Sequence, residues 1–284
     1  MQIQGQYRSK AHTRPRVPVA ATIVGIVATI LMLFPLYWMI ANSLETNQEI
    51  FSIPVSLIPT SVTLTPYATA LATQIPHLIT SIIVALGTVI VSLLIALPAG
   101  YALAHFHFRV TVIIVFCLLL TQMIPTVTLS TPFFLIFNKL GLLNSYGGLI
   151  LADTTYAVPF DILILRAFLS SIPYELVEAA FVDGSDEWGA FLRVIMPLSI
   201  PGIVTAGLFA FLFAWGDFLY ALTITTTNQI EPISLSIYTY LGQFSSQWND
   251  LMAVATLAAI PAAILLIAFQ RYITAGLTSG ALKG

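Results

Sequence analysis

Charged residues are scarce in this chain. Of 284 residues, 8% are Asp, Glu, Lys or Arg, whereas an ordinary soluble domain is roughly a quarter charged. Hydrophobic residues make up 58%, and the mean hydropathy is +0.95. Too few polar residues remain to cover such a core in water, so most of the chain is predicted to be solvated by lipid. The net charge of −2 provides no basic field for nucleic acid.

Cysteine is nearly absent as well. Because Cys117 is the only cysteine, an internal disulfide is excluded. Cys117 lies in an apolar run. The sequence has no G-x-x-x-x-G-K-[ST] phosphate-binding motif, so ATP hydrolysis is not expected of it. His105 and His107 have no accompanying Cys or carboxylate, and an interfacial position is predicted rather than a metal site. No cleavable signal peptide is evident, so the first apolar run is predicted to be a retained helix.

Long apolar runs are what the sequence has in place of charge. About 20 apolar residues cross a bilayer as a helix, and the alternation expected of barrel strands is absent. Pro35, Pro98, Pro125, Pro159 and Pro201 lie in or beside these runs and predict kinks. The fold class is therefore all-α membrane protein. Six spans are predicted, at Val17–Ala41, Leu78–His105, Val110–Phe134, Gly147–Phe168, Leu198–Leu222 and Leu251–Gln270.

The basic residues predict the orientation of these spans. Nine of the ten Lys and Arg residues fall on the side of the N-terminus, and only Lys139 falls on the other. By the positive-inside rule both termini are predicted to be cytoplasmic. Three connections, at about 42–77, 135–146 and 223–250, are then outside. Their length is typical of functional loops, although solvated caps are an alternative for the first.

One predicted cytoplasmic connection is acidic, against the rule just used. The stretch 175–197 holds five of the twelve acids, namely Glu175, Glu178, Asp183, Asp186 and Glu187. Its pattern predicts two short helices, capped by Ser171 and Ser185, with a left-handed turn at Gly184. The apolar face of such a hairpin needs cover. An acidic polar face suits a basic protein groove better than anionic lipid, but a structural hairpin at the membrane surface is the alternative.

The hairpin sequence resembles a known motif. "EAAFVDG", with Pro197 thirteen residues after Gly184, is similar to the EAA loop of type I ABC importer permeases. "NSLETNQEIF" (42–51), "PAGYALAHFHFR" (98–109), "FAWGDFLYAL" (213–222) and "FQRYITAGLTSGALKG" (269–284) resemble other parts of that family. The last points to the carbohydrate-uptake branch that includes the smaller maltose permease subunit. Gly216 departs from the family, which has Asn there.

The resemblance implies that the chain is one subunit of a larger transporter. It implies a second permease subunit, two cytoplasmic ATPase subunits that bind ATP and Mg, and an extracytoplasmic solute-binding protein; this chain binds no cofactor. It implies a type-1 transmembrane domain at 73–270 with its coupling loop at 171–197, preceded by a segment at 1–72 and followed by a cytoplasmic tail at 271–284. The implied cargo is a sugar, with a glycerophosphodiester as the alternative. The residues expected at the ATPase are Glu175, Glu178, Ala179, Ala180, Asp183 and Gly184.

Acids within the predicted spans are candidates for the translocation path, because charge in a bilayer is costly. Asp161 and Asp217 are expected to bond sugar hydroxyls, and Trp215 and Tyr220 to stack on sugar rings. The alternatives are that Asp161 caps a kink after Pro159 or bonds a neighbouring helix. Asp153 is a further candidate, with a position at the outer interface as its alternative.

Two other classes of membrane protein are less well supported. An intramembrane aspartyl protease would pair Asp161 with Asp217, but its Gly-x-Gly-Asp sequence is replaced here by Ala214-Trp215-Gly216-Asp217. An ion channel or proton-coupled carrier fits the composition, but it leaves the acidic hairpin without a partner.

Overall fold

The computed structural model describes residues 19–106, 109–243 and 247–281. These residues form helices and connecting segments, and no strand occurs among them. The N-terminal basic residues, His107 and Lys283 lie outside the described residues. The helices are α1 Val19–Leu44, α2 Asn47–Ile50, α3 Thr65–His105, α4 Thr111–Gln122, α5 Thr126–Lys139, α6 Tyr146–Leu169, α7 Glu175–Val182, α8 Glu187–Ala190, α9 Met196–Leu198, α10 Ile200–Gly216, α11 Leu219–Ile224, α12 Ile233–Gln243 and α13 Trp248–Ala281, with a π-helix at Phe191–Ile195 and a 3₁₀ turn at Asn228–Ile230.

Four of the described helices are long and apolar enough to cross a membrane: α1, α3, α6 and α13 over Trp248–Tyr272. Two bent pairs bring the number to six if each pair is one span, α4 with α5 and Glu187–Leu198 with α10. The six-span prediction agrees with this upper number. The orientation of the termini stays a prediction.

Prolines account for the two bends. α4 and α5 meet at 93°, and Pro125 stands between them in extended backbone, with φ −62° and ψ 128°. Glu187–Leu198 meets α10 at 75°, with Pro197 before the break and Pro201 after it. Proline lacks the N–H that would continue the helical ladder. The third and fifth spans are therefore angled pieces rather than straight rods.

The second span is much longer than predicted. α3 begins at Thr65, so the predicted outer loop 42–77 is wrong over residues 65–77, about its last third. Pro66 lies in the first turn, where a missing N–H costs little. Ala70 and Gln74 are buried there. The Gln74 Oε1 accepts from the Ser236 hydroxyl of α12 at 2.6 Å, so the extension is held by a tertiary contact that the sequence did not reveal.

α3, α6 and α10 form the centre of the bundle and pack against one another. α3 and α6 approach closely at Gly100, where an added Cβ would lie 3.0 Å from the Leu165 Cβ and 3.2 Å from the Arg166 nitrogen. α1 packs along α13, and its most apolar window has no buried residue. The apolar surface of α1 is therefore left for lipid or another subunit.

One carboxylate holds the connection between α1 and α3. Glu49 accepts hydrogen bonds from the backbone N–H and hydroxyl groups of both Thr60 and Ser61, including 2.5 Å from the Thr60 nitrogen and 2.5 Å from the Ser61 hydroxyl. The Ser61 and Thr60 hydroxyls, followed by the Thr60 N–H, lower the Glu49 pKa from 4.5 to about 2. This segment is a folded loop.

The last helix extends beyond the predicted span. α13 continues from Trp248 to Ala281, so most of the predicted tail at 271–284 is helical backbone. The sixth span was predicted to end at Gln270. Whether the remainder reaches an ATPase stays a prediction.

Candidate functional site

The acidic connection folds as the predicted helical hairpin. α7 ends at a turn in which Gly184 has φ +84°, and the Ser185 N–H donates to the Ala180 carbonyl at 2.9 Å. A six-to-one hydrogen bond over a left-handed residue is the usual way to end a helix at glycine. Glu175 and Glu178 lie in the first turn of α7, where negative charge favours the helix dipole.

Both predicted caps of the hairpin are wrong. The Ser171 hydroxyl bonds back to the Phe168 carbonyl at 2.6 Å, and α7 starts without a side-chain cap. The cap of α8 is Asp186 rather than Ser185, because its Oδ1 accepts from the Gly189 N–H at 2.8 Å. One of the five acids therefore has a structural task within the hairpin.

One face of the hairpin is part of the chain's own core. Val177, Ala190 and Ile195 are fully buried and pack with the ends of α3 and α6 near Leu165 and Leu169. Ala180, predicted at the ATPase, is 6% exposed and belongs to the same buried cluster. The hairpin is thus fixed to the bundle.

The other face of the hairpin is open. Glu175, Glu178, Ala179, Asp183 and Gly184 are all exposed, as the predicted role requires. Two large apolar side chains share this face: Val182 is 88% exposed and Trp188 is 65% exposed. An exposed tryptophan surrounded by carboxylates is typical of a protein-binding surface, because aromatic anchors carry much of an interface's energy. We call this set of residues the acidic face.

Two of the four predicted path residues support the fold instead. Asp161 is fully buried between α6 and α3, and its Oδ2 accepts from the Ser92 hydroxyl at 2.5 Å. Trp215 is 7% exposed, donates from Nε1 to the Ala258 carbonyl at 3.1 Å and stacks on Phe211. The first observation agrees with the alternative that Asp161 bonds a neighbouring helix. Trp215 joins α10 to α13.

The other two path residues line a cavity of about 220 Å³. Asp217 ends α10 and caps α11, because its carboxylate accepts from the Tyr220 N–H at 3.3 Å and the Ala221 N–H at 2.9 Å. Asp161 does not line this cavity, so the pairing that an aspartyl protease needs is missing. The lining residues are Thr126, Asp153, Tyr156, Phe213, Asp217 and Tyr220.

Sequence reasoning missed half of the residues that line this cavity. Asp153, for which the outer interface was the alternative to the translocation path, is 5% exposed and faces the cavity from α6. Tyr156 lies one helical turn further along α6, and its ring meets Phe213 edge-on at 5.0 Å. The i, i+3 spacing of Asp153 and Tyr156 was a usable signal. Nothing in the sequence indicated that the bend at Pro125 would bring Thr126 to the same place.

The described residues offer no group of three or more His, Cys, Asp or Glu side chains that could hold a metal. His105 instead packs between the rings of Tyr101 and Tyr174, with centroids 4.6 and 5.8 Å away.

A protein-family model described as "Binding-protein-dependent transport system inner membrane component" matches residues 96–279. The chain is 37% identical to the sulfoquinovosyl glycerol transport system permease protein of Agrobacterium fabrum, over 91% of this chain and 93% of that one. It is 36% identical to the trehalose transport system permease protein of Mycobacterium tuberculosis, over 89% and 93%. It is 34% identical to the diacetylchitobiose uptake system permease protein of Streptomyces coelicolor, over 92% and 96%.

The fold has a counterpart among solved structures. A chain of a bacterial ABC transporter involved in the import of the acidic polysaccharide alginate superposes with a TM-score of 0.74 at 21% identity, over 91% of this chain and 99% of that one. With the family model covering more than half of the sequence, the conclusion is direct: the chain belongs to the family of binding-protein-dependent transport system inner membrane components.

Proposed function

We propose that the chain is one of two membrane subunits of an ATP-driven sugar importer, and that the acidic face couples it to cytoplasmic ATPase subunits. The observation that carries this is the hairpin, fixed to the bundle by Val177 and Ala180 and exposing Glu178 and Trp188 on its other side. Such a hairpin transmits movement between the bundle and a bound ATPase subunit, because one of its faces packs on the bundle and the other is free to bind the partner. ATP and Mg are bound by the partner ATPase subunits, and a solute-binding protein delivers the cargo.

The sugar assignment is supported by the relatives, whose names specify sulfoquinovosyl glycerol, trehalose and diacetylchitobiose. The cavity supports it too, since it combines carboxyl groups with aromatic rings. The glycerophosphodiester alternative gains no support here, because none of the described lining residues is basic.

The test is reconstitution. The chain is purified with its partner permease and ATPase subunits, placed in proteoliposomes, and supplied with the solute-binding protein and a panel of labelled sugars. Uptake and ATP hydrolysis that both depend on the binding protein and on one sugar are expected. A complex that hydrolyses ATP but imports none of the sugars, while importing another solute class, would contradict the assignment.

The orientation has its own test. With Cys117 replaced by Ala, single cysteines are introduced at Leu140, which is 63% exposed between α5 and α6, and at Val182 in the hairpin. An impermeant maleimide added to intact cells is expected to label position 140 only. Labelling of position 182 would place the acidic face outside and remove it from the ATPase.

A further inference from the structure

Asp153 is a buried carboxyl group without a partner. It is 5% exposed, and no hydrogen bond joins it to any residue that the structure describes. A buried polar group left unpaired costs on the order of 1–3 kcal/mol and more when charged, and ionisable groups in membrane spans mark substrate pathways by default. We propose that Asp153 accepts hydroxyl hydrogen bonds from one ring of an uncharged sugar in transit, so that this subunit carries a sugar subsite of its own. The inference rests on the proposed function.

Two further acids of the bundle, Asp161 and Asp217, differ from Asp153 because they accept hydrogen bonds within the fold. Asp161 accepts from the Ser92 hydroxyl through Oδ2; its buried Oδ1 has no hydrogen-bond partner among the described residues, but Asp161 does not line the cavity. Asp217 accepts two backbone N–H groups at the start of α11. Each therefore has a task within the fold. Asp153 has none, yet it lies about 10 Å along α6 from Tyr146, at the 1.5 Å rise of a helix.

Aromatic side chains form the rest of the site. Tyr156 and Phe213 meet edge-on at 5.0 Å, and the Tyr220 ring packs against Phe133 at 5.3 Å. A sugar ring has apolar C–H faces and hydroxyl edges, so it needs flat apolar walls together with a few hydrogen-bonding groups. The cavity supplies the walls, the Asp153 carboxyl group and the Thr126 hydroxyl. Five of the six lining residues carry a hydroxyl or carboxyl group, so hydrogen-bonding groups lie beside the aromatic rings.

The cavity also selects by charge and size. Two carboxyl groups line it and none of its described lining residues is basic, so an anionic sugar would lose its hydration without gaining a compensating charge. The volume of about 220 Å³ is below the roughly 300–1,000 Å³ of pockets that hold drug-sized ligands. One ring fits, and the remainder of a longer sugar lies outside it.

The test uses the complete complex in proteoliposomes with its loaded binding protein at saturation. The probe is labelled trehalose, or the uncharged sugar that the screen above gives. Asp153→Ala is expected to lower uptake by about tenfold or more, the factor for one strong hydrogen bond, while binding-protein-stimulated ATP hydrolysis continues. The ATP consumed per sugar therefore rises by a similar factor. A folding defect would lower both rates together and leave this ratio unchanged.

Matched variants isolate the effect. Asp153→Asn keeps the volume and an oxygen acceptor, so its ratio should lie between the wild-type and Asp153→Ala values. Thr154→Ala changes the next residue, which is buried but bonds only to the Ile150 carbonyl at 2.6 Å in its own helix, and it should be neutral. Tyr156→Leu should raise the ratio, whereas Tyr156→Phe, which keeps the ring, should not. This last pair decides the matter if the Asp153 variants fail to assemble.

Each remaining outcome contradicts either the sugar subsite or the proposed function. A wild-type ATP-to-sugar ratio in Asp153→Ala, or equal effects of Asp153→Ala and Thr154→Ala, refutes the subsite while leaving the importer intact. A wild-type complex that imports only anionic sugars also refutes it. A wild-type complex that imports no sugar contradicts the proposed function instead, and that result is distinguishable because it appears without any substitution.

Discussion

Carboxyl groups are exposed to water at the acidic face, whereas those inside the bundle are buried. At the acidic face, Glu175, Glu178 and Asp183 are exposed and keep their water. Inside the bundle, Asp153 and Asp161 have lost theirs. An exposed carboxylate adds little to the stability of its own chain, so it is available to a partner. A buried one needs a hydrogen bond from the fold or from a ligand.

Two tryptophans repeat the contrast. Trp215 is 7% exposed and hydrogen-bonded, whereas Trp188 is 65% exposed on the acidic face. Removal of Trp215 should therefore lower the stability of the fold, whereas removal of Trp188 should weaken the binding of a partner.

The largest effect is expected from Trp215→Ala. Truncating a buried aromatic side chain costs about 3–5 kcal/mol, and here the Nε1 bond to the Ala258 carbonyl is lost as well. The purified complex should melt at a clearly lower temperature. Trp188→Ala is the control: it should melt like the wild type but retain fewer ATPase subunits. Equal melting of the two variants would break the comparison.

Ser92→Ala tests the hydrogen bond that pairs the buried Asp161. It removes the only hydrogen bond that the described residues give to Asp161, and leaves that buried group unpaired at a cost of about 1–3 kcal/mol. The double change to Ser92→Ala and Asp161→Leu should regain part of the loss, because no unpaired group is left. Thermal melts of the wild type, the single variants Ser92→Ala and Asp161→Leu, and the double variant decide this. Additive losses would show that the two residues act independently.

Gly184→Val tests the turn that presents the acidic face. At φ +84° a branched side chain costs about 1–2 kcal/mol, and the second helix of the hairpin is displaced. We expect normal membrane insertion, with ATP hydrolysis separated from sugar uptake or the ATPase released. Gly147→Val is the control, because nothing lies within 4 Å of a Cβ there and its φ is not positive. Coupled transport by the Gly184 variant would show that the turn is dispensable.

Glu178→Ala should change stability by less than about 0.5 kcal/mol, as surface substitutions usually do. Its effect should appear in the partner, as fewer ATPase subunits co-purifying or more ATP used per sugar. Glu187→Ala provides a comparison at another exposed acid of the hairpin. Full ATPase retention with full coupling in Glu178→Ala would leave the hairpin as a structural feature of the membrane surface.

The smallest effect is expected in the connection between α1 and α3, from the pH dependence of Glu49. Its folded pKa of about 2 lies below the ordinary 4.5, so its stabilisation is complete above about pH 4.5 and is lost as pH falls toward 2. Limited proteolysis of 51–59 should accelerate over that range, and Glu49→Gln should show faster cleavage already at neutral pH. A wild-type cleavage rate in Glu49→Gln would show that these hydrogen bonds do not hold the loop.

The sequence predicted the spans and the hairpin because both depend on local pattern. Twenty apolar residues need a membrane, and Gly184 needs only its own backbone to turn the chain. The caps at Ser171 and Ser185 were wrong because several nearby residues compete for the same N–H groups. The path roles of Trp215 and Asp161 stay predictions, because a buried polar group has the same sequence signal whether it bonds another helix or a ligand. Only the placement of Ser92 and Ala258 distinguishes these cases.

The length of α3 has a mechanical consequence. Its 41 residues extend about 60 Å at 1.5 Å per residue, twice the roughly 30 Å of the hydrocarbon layer. One end packs beside the hairpin through Tyr101 and Phe191, and the other holds α12 through Gln74 and Ser236. Tilting such a rod by about 5° around its hairpin end displaces the far end by roughly 5 Å, given that rise per residue. A small rotation at one membrane surface is thereby amplified at the other, as a lever arm amplifies movement at its pivot.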